Sequence, residues 1–177
     1  MTGTLLNIGS VLVAGLLGTM LGNRLPEKMR ESVLHGLGLV TMTVGLHLTM
    51  QTRNILIVMG SILVGAVLGE WWRLEDRLQA FGAWLEARVQ RGGPRHQTTF
   101  IQGFVTASLV FCVGPMTVLG SIQDGLTGDY RLLAIKSLLD GFAALAFASS
   151  LGIGVVFSVI TILIYQGGLS LLAAQAE

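Results

Sequence analysis

The hydrophobic pattern of this chain consists of long apolar runs separated by short clusters of charge. The run from Gly141 to Ala176 carries no Asp, Glu, Lys or Arg, and about 20 consecutive apolar residues suffice to cross a bilayer. Similar runs lie between the other charge clusters, at residues 2–23, 32–52, 54–69 and 96–123. The pattern therefore predicts an integral membrane protein that crosses the bilayer several times.

Each run is expected to form a helix. Backbone amide groups in hydrocarbon must pair within the protein, which leaves helices or a closed barrel. The runs lack the alternating pattern of barrel strands. We count six spans, at approximately residues 3–22, 32–50, 54–70, 98–121, 132–150 and 152–174. The fold class is thus all-α, a polytopic transmembrane helix bundle. An alternative folds residues 132–175 as one span and a re-entrant piece, which would place the C-terminus on the cytoplasmic side.

Residues 73–90 show a different pattern, in which apolar side chains recur at helical spacing and charged side chains fill the other face. The apolar positions are Leu74, Leu78, Phe81, Trp84, Leu85 and Val89. The charged positions are Arg73, Asp76, Arg77, Glu86 and Arg88. This pattern predicts an amphipathic helix at the membrane interface. Pro94 and the glycines before it predict that the helix ends in a linker, residues 91–95.

The linker divides a single transmembrane domain, residues 1–177, into two halves of three spans each. The halves are residues 1–72 and 96–177, and the cytoplasmic helix and linker at 73–95 lie between them. Because three is an odd number, the second half enters the membrane from the opposite side, which is the layout of an inverted repeat. A constant shift of 105 positions also places Ser32–Gly36 over Ser137–Gly141.

Composition and charge agree with this assignment and add an orientation. The chain is 52% hydrophobic and 12% charged, whereas soluble domains contain about 25% charged residues. Lys and Arg resist translocation, and most of them follow the first and third spans: Arg24, Lys28, Arg30, Arg73, Arg77, Arg88, Arg91 and Arg95. We therefore expect a bacterial cytoplasmic membrane protein with loops one and three on the cytoplasmic side and both termini outside.

The most informative polar residues are Lys136 and Asp140, one helical turn apart in the fifth span. Opposite charges at this spacing pair on one helix face, and ionisable groups within a span usually face the bundle interior or a water-filled path. The alternative is that Lys136 extends to the interface while Asp140 links neighbouring helices. The shift of 105 positions makes Glu31 and His35 their symmetry mates, again four residues apart.

A break is predicted in the fourth span at Gly114 and Pro115, because proline removes a backbone donor and frees a carbonyl upstream. Transporters place ion and substrate sites at such broken helices, although an ordinary proline kink followed by a turn fits equally well. Further polar groups follow this break or interrupt the first and last spans. The predicted pathway comprises Asn7, Pro115, Gln123, Asp124, Lys136, Asp140 and Gln166.

The remaining motifs indicate packing rather than chemistry. Glycines four residues apart allow helices to approach closely, and they occur at Gly18 and Gly22 and at Gly65 and Gly69. The single Cys112 is expected to pack in apolar surroundings. The sequence contains no nucleotide-binding loop, no Cys cluster and no metal-ligand spacing of His, so we expect no metal, no cofactor, no nucleic-acid partner and no enzymatic activity.

Several segments carry a resemblance to a known family. They are Gly3–Asn7, Gly36–Leu39, Phe104–Met116, Gly120–Leu126, Lys136–Gly141 and Tyr165–Gly168. In these segments the chain resembles the bacterial inner-membrane family typified by YqgA and YdfK, known as domain of unknown function 554. The resemblance implies a bacterial multi-pass membrane protein and implies no particular activity.

These observations lead to two hypotheses of different classes. The first is a transporter or channel for a small ion or solute, acting as a homo-oligomer, which we expect to be a dimer. Backbone carbonyls and glycines favour a cation slightly, while the substrate, its direction and any coupling ion stay open. The second is a non-transporting scaffold or assembly protein that holds a partner on the amphipathic helix, residues 73–90.

Overall fold

The computed structural model describes residues 1–22, 26–50, 52, 54–89 and 94–175, and the regular elements in these ranges are helices. In chain order they are α1 (Thr2–Leu21), α2 (Glu27–Met50), α3 (Ile55–Trp71), α4 (Leu74–Val89), α5 (Pro94–Cys112), α6 (Pro115–Leu126), α7 (Arg131–Leu151), α8 (Gly154–Ile162) and α9 (Gly168–Ala174). A π-helical segment, Leu163–Gly167, joins the last two. The all-α fold class is confirmed. Arg24, Arg53 and linker residues 91–93 lie outside the described residues.

Three helices in the described ranges are long and apolar enough to cross a membrane. They are α1, α7 and the C-terminal helix Gly154–Ala174, which comprises α8, the π-helical segment and α9. Two bent pairs raise the number to five if each pair forms one span: α3 with α4, bent by 47°, and Thr99–Cys112 with α6, bent by 59°. The last two predicted spans are thus separate full-length helices, and a total of six spans stays a prediction.

The helix α1 makes its most extensive contact with α7. The residues of α1 buried in the fold share one face: Gly3, Thr4, Asn7, Val11, Gly15 and Gly18. A side chain at Gly18 would meet the Leu145 carbonyl oxygen, and one at Gly141 would meet the Ser10 hydroxyl. The Ser10 hydroxyl donates to the Ser137 carbonyl oxygen over 2.6 Å. Glycines therefore let the two helices approach closely enough for side chain to backbone hydrogen bonding.

The four glycines predicted to pack helices differ in their surroundings. Gly18 lies in the α1–α7 contact described above. Gly22 ends α1 with φ +45°, a backbone conformation that glycine adopts without strain. Apart from adjacent residues and the backbone of its own helix, no atom of the described residues lies within 4 Å of a Cβ added at Gly22, Gly65 or Gly69. Packing at these last three positions therefore stays a prediction.

The break between α5 and α6 lies where the sequence predicts it. Gly114 is extended, and Pro115 is the first residue of α6. Pro115 cannot donate to the Phe111 carbonyl one turn upstream, but the Thr117 hydroxyl donates to that oxygen instead, over 3.1 Å. The freed carbonyl is therefore satisfied within the protein.

The predicted amphipathic helix is present as α4, and it packs against α5. A Cβ on Gly82 would lie 2.9 Å from Phe104 Cδ1, and Leu85 is buried beside them. Glu86 is also buried, although the pattern assigned it to the charged face. The reason is that the contact face of α4 is centred on Gly82, Leu85 and Glu86, because the small Gly82 allows Phe104 to approach there.

Helices α2 and α3 pack little against the helices described above. In the described part of the chain α3 has no buried residue, and α2 has its main contact with α7. The first helix, α1, packs with helices of the predicted second half rather than with α2 and α3. The division into two three-helix halves and the inverted repeat stay predictions.

Candidate functional site

An ion pair lies inside α7. The Lys136 ammonium group donates a hydrogen bond to Asp140 Oδ2 one turn later, and the two residues are only 4% and 7% exposed. Lys136 therefore turns inward to Asp140 and does not extend to the protein surface. The spacing of four residues predicted this pairing, and the structure confirms it.

A chain of hydrogen bonds extends from this pair into two other helices. The Asn7 amide nitrogen donates to Asp140 Oδ2 and to Gln166 Oε1, each over 3.0 Å. The Gln166 amide nitrogen then donates to the Thr4 hydroxyl over 3.3 Å, and Thr4 lies 3.5 Å from the Ser170 hydroxyl. Six polar residues of α1, α7 and the C-terminal helix thus form one buried network: Lys136, Asp140, Asn7, Gln166, Thr4 and Ser170.

Gln166 reaches this network from the π-helical segment Leu163–Gly167. It is 0% exposed, so both ends of its amide are desolvated and each has a hydrogen-bond partner. A π-helical turn within an α-helix is rare and is frequent at functional sites. The irregular turn therefore coincides with the residue that connects α1 to the C-terminal helix.

A second buried carboxylate, that of Asp124, lies beside the start of α1. The Gly3 amide donates to Asp124 Oδ2 over 3.2 Å, and the Met1 amino group lies 3.0 Å from the same oxygen. A carboxylate at this position also complements the positive end of the helix dipole. Asp124 thus links α6 to the first turn of α1.

Two buried side-chain oxygens lack a hydrogen-bond donor among the described residues: Asn7 Oδ1 and Asp124 Oδ1. The orientation of the Asn7 amide explains the first. Its nitrogen faces two acceptors, Asp140 Oδ2 and Gln166 Oε1, so rotating the amide would bring an oxygen against two oxygens. The group without a partner is therefore the carbonyl oxygen of Asn7.

Hydrogen bonds join four of the predicted pathway residues: Asn7, Lys136, Asp140 and Gln166. Asp124 instead contacts the Gly3 amide and the Met1 amino group, and the other two predicted residues also lie apart from the network. Pro115 is exposed at the start of α6, and Gln123 is half-buried, with its carbonyl oxygen accepting from the Thr127 hydroxyl. The proposed symmetry mates Glu31 and His35 are exposed on α2.

Sequence reasoning did not single out Thr4 and Ser170. A signal for both was present: Thr4 precedes Asn7 by three residues and Ser170 follows Gln166 by four, so each shares a helix face with a predicted residue. In the described parts of the chain, no group of three His, Cys, Asp or Glu side chains is arranged to hold a metal ion. The side-chain oxygens that the site could offer to a ligand belong to carboxylate, carboxamide and hydroxyl groups.

These features define a helical membrane protein with a buried polar network between three of its helices. The chain belongs to the family described as "Protein of unknown function (DUF554)", which matches residues 2–177.

Two relatives support the membership. The chain is 36% identical over 174 residues to "Uncharacterized protein YqgA" of Escherichia coli (strain K12), covering 97% of this chain and 74% of that protein. It is 25% identical over 182 residues to "Uncharacterized membrane protein YdfK" of Bacillus subtilis (strain 168), covering 100% of this chain and 75% of that protein. No solved structure matches the chain. The family resemblance is confirmed, and the second relative's name agrees with a membrane protein.

Proposed function

We propose that this protein is a transporter or channel that moves a small ion or solute across the bacterial cytoplasmic membrane. The observation that carries the proposal is the buried hydrogen-bond chain from Lys136 through Asp140, Asn7 and Gln166 to Thr4. Residues with ionisable or strongly polar side chains are costly inside a bilayer and usually line a substrate or ion path.

The position of the network supports this function. Its members come from α1, α7 and the C-terminal helix, and these are the three helices of the described ranges that meet the length and hydropathy of a membrane span. A path between them would run along the bundle interior, where polar groups replace the hydration of the solute. The Asp124 carboxylate beside the start of α1 is a further buried charged group in this bundle.

The chemistry of the network argues against a simple proton wire. Asn7 and Gln166 are consecutive members of the chain, and a carboxamide cannot accept a proton on one side and release another without changing its bonding. These groups fit a solute that oxygens coordinate and that moves from one side chain to the next better than they fit a proton.

A homodimer is part of this proposal. The described side chains of α3 are not buried within one chain, and a chain of 177 residues has few helices with which to enclose a path. The proposed orientation keeps loops one and three cytoplasmic, following the distribution of Lys and Arg.

The test is a flux assay on purified protein in liposomes, with sodium, potassium, protons, chloride and small carboxylates as solutes under an imposed potential. The informative variant is the double substitution Lys136→Met with Asp140→Asn, because it removes both charges together and leaves neither one unpaired. We expect flux of one solute in the wild type and loss of that flux in the folded double variant. The matched control is Asp129→Asn, which neutralises an exposed carboxylate in the turn before α7 and should leave flux unchanged.

The alternative function, a membrane scaffold with a partner on α4, has one observation in its favour. Trp84 is half-exposed, and the Arg88 guanidinium lies 4.8 Å from the centre of its ring, an arrangement suited to a protein contact. Absence of flux for every solute, together with an unchanged fold in the double variant, would favour this alternative.

A further inference from the structure

We infer that the protein binds an anionic phospholipid in a groove between α4, α5 and the C-terminal helix, with the lipid phosphate at Arg77. The groove has a volume of about 780 Å³, which is within the range of small-molecule sites. Among the described residues, no member of the polar network lines it, so binding there does not depend on the proposed transport path. Its walls are mainly apolar, with Leu78 and Phe81 of α4, Leu109 of α5, and Ile164 and Leu169 of the C-terminal helix.

The interior of the groove suits a hydrocarbon chain. Ser108 and Thr161 both line it, but their hydroxyl groups bond each other over 3.0 Å, so these two polar groups satisfy one another. Along the C-terminal helix the lining extends from Thr161 to Leu172, which corresponds to about 16 Å of helix. This length is close to the hydrocarbon depth of one leaflet, which is half of about 30 Å.

Arg77 contributes a charged group to this lining. Its side chain is exposed, and no side chain of the described residues pairs with its guanidinium group, whereas Arg73 pairs with Asp76 over 2.6 Å. A charged group beside hydrocarbon is costly unless it has a partner, and the planar donors of Arg match phosphate oxygens. A net negative lipid fits better than a zwitterionic one, because a zwitterionic headgroup carries its own cation beside the phosphate.

The residues before Arg77 indicate that it lies near the membrane interface. Trp71 and Trp72, at the end of α3, are 77% and 58% exposed, and tryptophans of membrane proteins are enriched at headgroup level. The chain bends by 47° between α3 and α4, and Arg77 follows in the first turn of α4. The guanidinium group can therefore meet a headgroup while Leu78 and Phe81 of the next turn contact the lipid chain.

The experiment measures lipid binding to the purified protein in detergent by native mass spectrometry. The probes are phosphatidylglycerol and phosphatidylcholine with the same acyl chains. We expect the wild type to prefer phosphatidylglycerol by about fivefold, which is the contribution of one Arg at an anionic surface. Arg77→Gln should abolish this preference. Arg88→Gln removes the same charge from the same helix outside the groove, so it is the matched control and should retain the preference.

A second pair of variants tests the apolar part of the groove. Gly168 lines the groove and has helical backbone angles, φ −60° and ψ −46°. Apart from adjacent residues and the backbone of its own helix, no described atom lies within 4 Å of a Cβ added there. Gly168→Leu should therefore fold, fill the groove and weaken the binding of both lipids. Gly168→Ala adds a single methyl group and should retain most of the binding.

Every outcome decides the inference. Equal binding of the two lipids by the wild type, or an unchanged preference in Arg77→Gln, overturns it. An equal loss of preference in Arg88→Gln also overturns it, because the attraction would then come from the general charge of α4. Lipid binding that Gly168→Leu does not weaken occurs elsewhere on the protein and overturns it too.

The groove could instead be covered by a second copy of this chain. A wild type that binds no lipid but forms a dimer, which Gly168→Leu dissociates, would show this and overturn the lipid site. If Arg77→Gln does not fold, the lipid preference of the wild type and the two Gly168 variants decide in its place.

Discussion

Removing one member of the ion pair between Lys136 and Asp140 should destabilise the protein far more than removing both. Each residue is less than a tenth exposed, and Lys136 donates directly to Asp140 Oδ2. Lys136→Met leaves Asp140 with the Asn7 amide as its remaining partner. Asp140→Asn leaves the Lys136 ammonium group buried without a countercharge.

The expected magnitudes follow from burial. Breaking a buried ion pair by removing one partner costs about 3–5 kcal/mol, because an uncompensated charge stays in a medium of low polarity. The double variant leaves no charge, and Asn at position 140 retains an oxygen that accepts from Asn7. We therefore expect its loss to be close to that of one or two hydrogen bonds in a membrane protein, about 1 kcal/mol.

The assay is reversible unfolding of the purified protein in mixed micelles, followed for the wild type, the two single variants and the double variant. The coupling free energy is obtained from the double-mutant cycle. We expect the double variant to be more stable than either single variant. If its loss of stability equals the sum of the two single losses, the pair does not interact as the structure shows and the reasoning fails.

Three further predictions concern packing, burial and topology. Gly18→Val should lower stability by about 1–3 kcal/mol, since its side chain would meet the Leu145 carbonyl oxygen. Gly9→Ala meets no described atom of another helix within 4 Å, so it should be neutral or slightly stabilising, and thermal unfolding checks both variants. The buried thiol of Cys112 should react slowly with a maleimide dye in the folded protein and rapidly after denaturation, and equal rates would contradict its burial. Asp129→Cys in a Cys112→Ser background should be labelled by an impermeant maleimide from outside the cell, and labelling only from the cytoplasmic side would reverse the proposed orientation.

Helix positions and the ion pair were predictable because each depends on neighbours in sequence. The predicted spans 3–22, 132–150 and 152–174 differ from the observed Thr2–Leu21, Arg131–Leu151 and Gly154–Ala174 by at most two residues at either end. Continuous apolar runs and the breaks between them set these limits. The helix break at Pro115 was also predictable from the sequence alone, because the proline nitrogen has no hydrogen to donate.

Contacts between helices were not predictable, because a single sequence shows which residues share a face but not which helix faces them. Thr4 and Asn7 share one face of α1, yet nothing in their spacing indicates that Gln166 lies opposite. The freed carbonyl of Phe111 is a further example. The sequence predicts that Pro115 frees this carbonyl, but the Thr117 hydroxyl donates to it. Among the described residues, the buried side-chain oxygens without a donor are on Asn7 and Asp124.

Asn7 and Gly18 make different contacts on α1, and the contact at Gly18 affects the one at Asn7. Asn7 and Gly18 are eleven residues apart, which is close to three full turns, so they share one face and lie about 16 Å apart along the axis. At Gly18 the α1 backbone packs directly on α7, and at Asn7 the same face provides the amide that binds Asp140. Close packing at Gly18 therefore fixes the depth and rotation at which Asn7 meets the ion pair. A substitution at Gly18 should accordingly alter flux through the polar network as well as stability, although it adds no polar group and touches none of the network residues.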